Sequence, residues 1–223
     1  AEFSVVPLEQ AVRLPESVPM EQGACLGIPG ITGHRAVHVA SPVEGRTVLV
    51  QGGAGAVSLC AIQLARRAGA YVITTIRSSS DESGARSADP DEILLTGENL
   101  IERVRALVPE GVDHIVEVAF GANIATDIEL LAPGGSLATY GSDVAFPEIP
   151  VWPLGFKNIR LFFLGSDDFP AEAKVAAARD LNDVFETGWA GFEIAERIPL
   201  SDIAKAHELI EHPVRPGRVV VNL

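Results

Sequence analysis

The residues Gly53-Ala54-Gly55-Ala56-Val57-Ser58 directly follow the apolar stretch Val48-Leu49-Val50-Gln51. Glycines at this spacing let a backbone approach an anion closely. A helix starting there offers free N–H groups and a partial positive charge. The pattern is G-x-G-x-x-S, one step from the G-x-G-x-x-G of dinucleotide-binding turns. It is not a P-loop, because no Gly-Lys-Ser/Thr follows. A plain turn also takes glycines, so both readings stand for the motif alone. About 20 residues further on, NAD enzymes place a carboxylate on the adenosine ribose. Here the chain reads Thr74-Thr75-Ile76-Arg77-Ser78-Ser79-Ser80. A guanidinium fork with several hydroxyls suits a ribose 2′-phosphate. The alternative is that Arg77 is a solvated loop residue, and the nearby Asp81 and Glu82 favour that alternative.

Other chemistries leave weaker traces. His34 and His38 form one H-x-x-x-H pair, but no Glu follows His34 and no third ligand is close in sequence, so no metal ligand set is assigned. Cys25 and Cys60 make no C-x-x-C and fit reduced thiols, which points to the cytoplasm. None of His34, His38, His114, His207 and His212 stands in a nucleophile–base motif, and they read as structural or solvated. Tyr71 is followed four residues on by Thr75, and Tyr140 by Val144, so the Tyr-x-x-x-Lys of short-chain reductases is absent. No catalytic residue is assigned.

These residues need elements to hold them. Val48 to Val50 reads as a strand, the glycines as a tight turn, and Val57 to Ala65 as a helix. Tyr71–Ile76 and Glu92–Leu95 read as strands, with Ser78 to Asp91 between them as loop or frayed helix. Helices are expected over Leu100–Val108 and Ile124–Leu131, the latter stopped by Pro133-Gly134-Gly135. Strands are expected over Val112–Ala119, Leu137–Tyr140 and Ile159–Leu164. An alanine-rich helix covers Ala171–Phe185. Strands alternating with helices predict an α/β fold with a doubly wound parallel sheet and helices on both faces. Phe3–Leu14 and Ile194–Leu200 read as short β-like pieces. Ser201 is expected to cap a helix over Ile203–Ile210, and Arg218–Leu223 to be a final strand. The end strands have no evident partner in the middle of the chain and would suit a second sheet.

Composition narrows the function. The 223 residues carry 17 basic and 30 acidic side chains, a formal charge of -13. That field repels nucleic acid and anionic lipid, so neither is an expected partner. No apolar run is long enough to span a bilayer. The chain opens on Ala1 rather than Met and reads as a processed chain or a piece of a longer one.

The chain resembles the medium-chain dehydrogenase/reductase family, in its quinone oxidoreductase (zeta-crystallin-like) branch. The likeness runs from Pro15-Glu16-Ser17-Val18 and Gly23-Ala24-Cys25-Leu26-Gly27 to Gly33-His34-Arg35-Ala36. It continues through Val48 to Val57, Gln63-Leu64-Ala65, Gly69-Ala70, Gly111-Val112-Asp113, Leu131-Ala132-Pro133-Gly134-Gly135 and Lys157-Asn158. It closes on Pro199-Leu200, Ala206-His207 and Gly217-Arg218-Val219-Val220. The resemblance covers nearly the whole chain. Two departures stand out: Gly55-Ala56-Val57-Ser58 where the family usually reads Gly-Gly-Val-Gly, and no lysine in the loop after the second strand.

The resemblance implies a Rossmann-type six-stranded parallel sheet, with remnants of a GroES-like β domain at both chain ends. Residues 1–20 would be a remnant of the catalytic domain. Residues 21–189 would be the NADP-binding domain, with a lead-in helix over 21–45, and 190–223 a return to the catalytic domain. It implies NADP(H) as cofactor and zinc-independent hydride transfer to a quinone or enone. Ala54, Gly55, Ala56 and Val57 would line the pyrophosphate and Arg77 the 2′-phosphate. Asn123 would face the cofactor; its alternative is a helix N-cap. Tyr140, Gly141 and Ser142 would sit at the carboxyl edge of the sheet. Phe163, Leu164 and Gly165 would lie near the nicotinamide, with core packing the alternative for Phe163 and Leu164. Thr32 would reach the nicotinamide with its hydroxyl, or else cap a helix. A homodimer would form through the edge strand 158–164. The rivals are a non-catalytic nucleotide-binding module and an S-adenosylmethionine methyltransferase, the latter disfavoured by Ile76-Arg77 where an acidic residue is needed.

Overall fold

The computed structural model describes residues 3–97, 99–212 and 215–223. Its centre is a six-stranded parallel sheet in the order β3-β2-β1-β4-β5-β6. The strands are β1 Thr47–Val50, β2 Tyr71–Ile76, β3 Glu92–Leu95, β4 Val112–Glu117, β5 Leu131–Thr139 and β6 Arg160–Phe163. The helices are α1 Met20–His38, α2 Ala56–Arg67, α3 Glu82–Arg86, α4 Leu100–Leu107, α5 Phe120–Leu130, α6 Val151–Phe156 and α7 Ala171–Glu186.

Strand alternation sends neighbouring side chains to opposite faces. Val48, Val50, Val72, Val116 and Ala138 join one buried cluster with residues of α1, α2 and α7. Leu49, Ile73, Ile115 and Leu137 join a second with residues of α4 and α5. The expected doubly wound architecture is therefore present. The order reverses direction between β1 and β4, and the crevice at the carboxyl ends of those strands is where such sheets bind ligands. Among the described residues, no helix is long and apolar enough to cross a membrane.

Several expected boundaries move. Helix α5 begins at Phe120 rather than Ile124. Strand β5 begins at Leu131, and its register against β4 jumps at Pro133-Gly134-Gly135, with Gly134 at φ 75°. Those three residues interrupt pairing rather than stop the helix. The lead-in helix ends at His38, and residues 39–46 carry the chain to β1.

The β-like reading of Phe3–Leu14 fails. That segment is extended chain with one 3₁₀ turn at Leu8–Gln10. Pro7 breaks it, Phe3 and Val5 are 88% and 101% exposed, and among the described residues no strand pairs with it. At the other end β7 Ile194–Pro199 and β8 Arg218–Asn222 pair with each other, in parallel, as a separate two-stranded sheet around α8 Ile203–Glu211. Ser201 does not cap α8. It lies in a 3₁₀ turn, Leu200–Asp202, and Asp202 takes the N-cap position.

Candidate functional site at the carboxyl edge of the sheet

The turn between β1 and α2 is built by close approach. Gly52 has φ 69°, and Gly53 donates its N–H to Thr75 O at 2.7 Å. A Cβ on Gly53 would collide with Thr74 Oγ1. Gly55 is the N-cap of α2, with no side chain capping that end and no acidic residue in the first turn. The first N–H groups of α2, on Ala56 and Val57, point past the end of their own helix, which is the arrangement that receives an anion. Ala54, Gly55, Ala56 and Val57 thus stand together where the sequence places them. Ser58 fills the third glycine's position. Its Oγ donates to Gln51 O at 2.9 Å and lies 3.3 Å from Tyr140 Oη. The extra hydroxymethyl group therefore ties the helix start to the end of β1.

Beneath the turn lies a buried polar network. Gln51 Nε2 donates to Asp127 Oδ1 at 2.8 Å, and Thr75 Oγ1 donates to Gln51 Oε1 at 2.5 Å. Gly52 N–H donates to Thr75 Oγ1 at 3.2 Å, so the turn itself is in the network. Glu117 closes β4 and is fully buried. Its Oε1 accepts from Ala119 N–H and, at 3.0 Å, from Asn123 Nδ2. Asn123 is inside α5, whose N-cap is Ala119, so the capping alternative is overturned. Burial first, and then the adjacent Glu117, hold the Asp127 carboxyl well above the usual carboxylate range. Sequence reasoning missed Gln51, Glu117 and Asp127. The one signal was a polar residue ending each of two apolar strands.

The other strand ends supply the remaining candidates. Arg77 follows β2 directly, exposed, with no ion pair or side-chain hydrogen bond among the described residues. Neither Asp81 nor Glu82 holds it; Glu82 pairs with Arg86 instead. Tyr140 follows β5. Its phenol is pushed up to about 12, chiefly by burial, so it stays protonated at neutral pH. Gly141 is required there, since a Cβ would meet Val118 O at 2.6 Å. Ser142 is exposed and turns its hydroxyl onto Val144 O at 2.7 Å. Phe163 ends β6 and is 61% exposed, touching Phe120 edge-on at 5.3 Å. Core packing does not describe Phe163. It does describe Leu164, which leans on the core and donates its N–H to Thr139 O at 2.9 Å. Gly165 is exposed, and a Cβ added there would meet nothing within 4 Å.

Thr32 lies in the middle of α1, so it caps nothing. Its hydroxyl is buried without a partner. Its neighbour Gly33 packs α1 onto Val57 O and Cys60, in the first turns of α2.

Both cysteines are buried free thiols, and Cys60 is pushed up to about 12 by burial, which excludes a nucleophilic thiolate there. His114 is structural. Its Nε2 donates to Ala36 O at 2.7 Å, leaving Nδ1 to accept from Ser136 Oγ at 2.8 Å, and burial lowers its pKa.

A family model described as zinc-binding dehydrogenase matches residues 56–178, just over half of the chain. Human quinone oxidoreductase is 30% identical over 219 residues, covering 95% of this chain and 65% of the relative. The chain thus spans about 65% of the length of that relative. A mycobacterial quinone oxidoreductase structure superposes with TM-score 0.87 at 27% identity, over 95% of this chain and 67% of the other. A mycobacterial structure described as complexed with NADPH gives TM-score 0.83 at 27% identity, over 98% and 70%.

Proposed function

Since this chain belongs to the zinc-binding dehydrogenase family, we propose that it forms the NADPH-binding part of an oxidoreductase that passes hydride to a quinone or enone acceptor without zinc. The observation that carries the cofactor reading is the pairing of an uncapped α2 N-terminus with a free Arg77 at the end of β2. The names of the relatives, quinone oxidoreductase in human and mycobacterial proteins, support the acceptor class. One neighbour's NADPH complex supports the choice of cofactor.

When bound, NADPH supplies the hydride from its nicotinamide ring. The chain's own residues do the positioning. Ala56 and Val57 N–H groups receive the pyrophosphate, and Arg77 with Ser78 receives the 2′-phosphate. Glu117 fixes Asn123 toward the crevice. Phe163 offers an apolar face beside the strand ends. Hydride transfer of this kind needs a held geometry and a dry pocket more than an acid–base pair. A Tyr140 phenol that stays protonated is consistent with that economy. The reading includes a two-fold dimer through the free edge of β6.

The test is titration of NADPH and NADH by fluorescence, repeated with Arg77→Ala. Charge-assisted contacts to the 2′-phosphate contribute roughly 1.5–3 kcal/mol, or about ten- to a hundredfold in affinity. The substitution should remove that preference and leave NADH binding nearly unchanged. Equal affinities in the wild type would overturn the reading.

A further inference from the structure

The H-x-x-x-H pair of α1 gains a third partner in three dimensions. His34 Nε2 lies 2.9 Å from Asp180 Oδ2, on α7. The His34 and His38 rings lie one helical turn apart, with centroids separated by 4.7 Å and planes tilted by 55°. One ligand atom from each of His34, His38 and Asp180 lies within 4.8 Å of the others. Among the described residues, this is the only group of three His, Cys, Asp or Glu side chains so placed. We propose that His34, His38 and Asp180 bind a divalent transition-metal ion that staples α1 to α7.

Ligand types and geometry agree with this assignment. Two imidazoles and one carboxylate suit a borderline ion such as Zn²⁺ or Co²⁺, with water in the fourth position. Bonds of about 2.0–2.2 Å put tetrahedral ligand atoms about 3.3–3.6 Å apart. The His34–Asp180 pair is already closer than that. His38 makes no side-chain hydrogen bond among the described residues, so its ring is free to close the remaining gap. The site is partly enclosed rather than a surface cluster: the His34 side chain is 12% exposed and Asp180 44%. The chain's net charge of -13 adds a long-range attraction for cations.

The site is separate from the carboxyl edge. Ala36, between the two histidines, gives its carbonyl to His114 of β4, three residues before Glu117 at the strand's carboxyl end. That separation is about 10 Å along the strand.

The alternative is that His34 and Asp180 form a hydrogen-bonded pair and nothing more, and His38→Ala separates the two because it leaves that pair intact. The full chain is stripped with a chelator and titrated with Zn²⁺ by calorimetry and with Co²⁺ by visible absorption. Tight binding of about one equivalent is expected, with the d–d bands of a low-coordinate cobalt site. His38→Ala and the isosteric Asp180→Asn should each weaken binding by roughly 10–100-fold or more. His207→Ala and His212→Ala serve as controls and should change nothing. Thermal unfolding without metal checks that each variant is folded. Absence of binding by the wild-type chain, or binding indifferent to both His38→Ala and Asp180→Asn, overturns the proposal.

Discussion

Glu117 Oε2 and Asp127 Oδ2 are buried without a hydrogen-bond partner beneath the glycine turn, and one proton held between the two carboxyls would satisfy both. Asp127 carries that proton, because burial and its neighbour raise its pKa. In the unfolded chain the same carboxyl ionises near about 4. Above that pH the folded state binds the extra proton, so stability falls as pH rises from about 4 toward the folded pKa. Asp127→Asn keeps an acceptor for Gln51 and a donor for Glu117. It should leave stability near neutral pH within about 1 kcal/mol of wild type and flatten this pH dependence. Asp127→Ala strands both partners and should cost about 1–3 kcal/mol. Urea unfolding at several pH values measures both. An Asn variant no better than Ala would contradict the shared proton. None of this was legible in the sequence, where Glu117 and Asp127 look like the polar positions of an amphipathic strand and helix. Only the closure of α5 over β4 buries them.

At the scale of elements, the strand–turn–helix unit was legible because its apolar periodicity and glycines agree. Its close approach to β2 was not, since that depends on which strand lies beside β1. Thr74 Oγ1 donates to Val50 O at 2.7 Å and cannot retreat from a new methyl group on Gly53. Gly53→Ala should therefore cost about 1–3 kcal/mol in stability and weaken NADPH binding. Gly165→Ala, with open space around it, should leave stability within about 0.5 kcal/mol of wild type. Thermal unfolding of the two variants compares them directly, and equal losses would show that the turn does not sit against β2. The His114 bridge between α1 and β5 behaves oppositely to Asp127. Its lowered pKa keeps it neutral in the fold while the unfolded chain takes up a proton below about 6.5. Stability from this group is present above that pH and is lost as pH falls below it. The chain ends misled sequence reading for a related reason. Phe3–Leu14 has β-type residues but, among the described residues, pairs with no strand, whereas β7 and β8 find each other across α8.

For the whole molecule the proposed association turns on the open edge of β6. Among the described residues β6 pairs only with β5. Leu164 N–H points inward to Thr139 O, so by alternation Leu161 and Phe163 turn their N–H groups outward. Large apolar side chains are exposed on β6 and on α6, the helix before it: Phe163 is 61% exposed, and Trp152 and Phe156 are 73% and 81% exposed. In the proposed dimer, a second copy pairing edge to edge would extend one sheet across a two-fold axis and cover this surface. Opposing it is the repulsion of two chains that each carry -13. Salt screens that repulsion over about 10 Å at 0.1 M and leaves apolar burial intact. Dimerisation should therefore tighten as salt rises, the reverse of an association driven by opposite charges. Leu161→Pro removes one outward N–H and spares the inward ladder to β5, as edge strands tolerate. It should give a folded monomer by light scattering at micromolar concentration, where a dimer is expected of the wild type. A wild-type chain that stays monomeric at both low and high salt would rule this edge out as an interface.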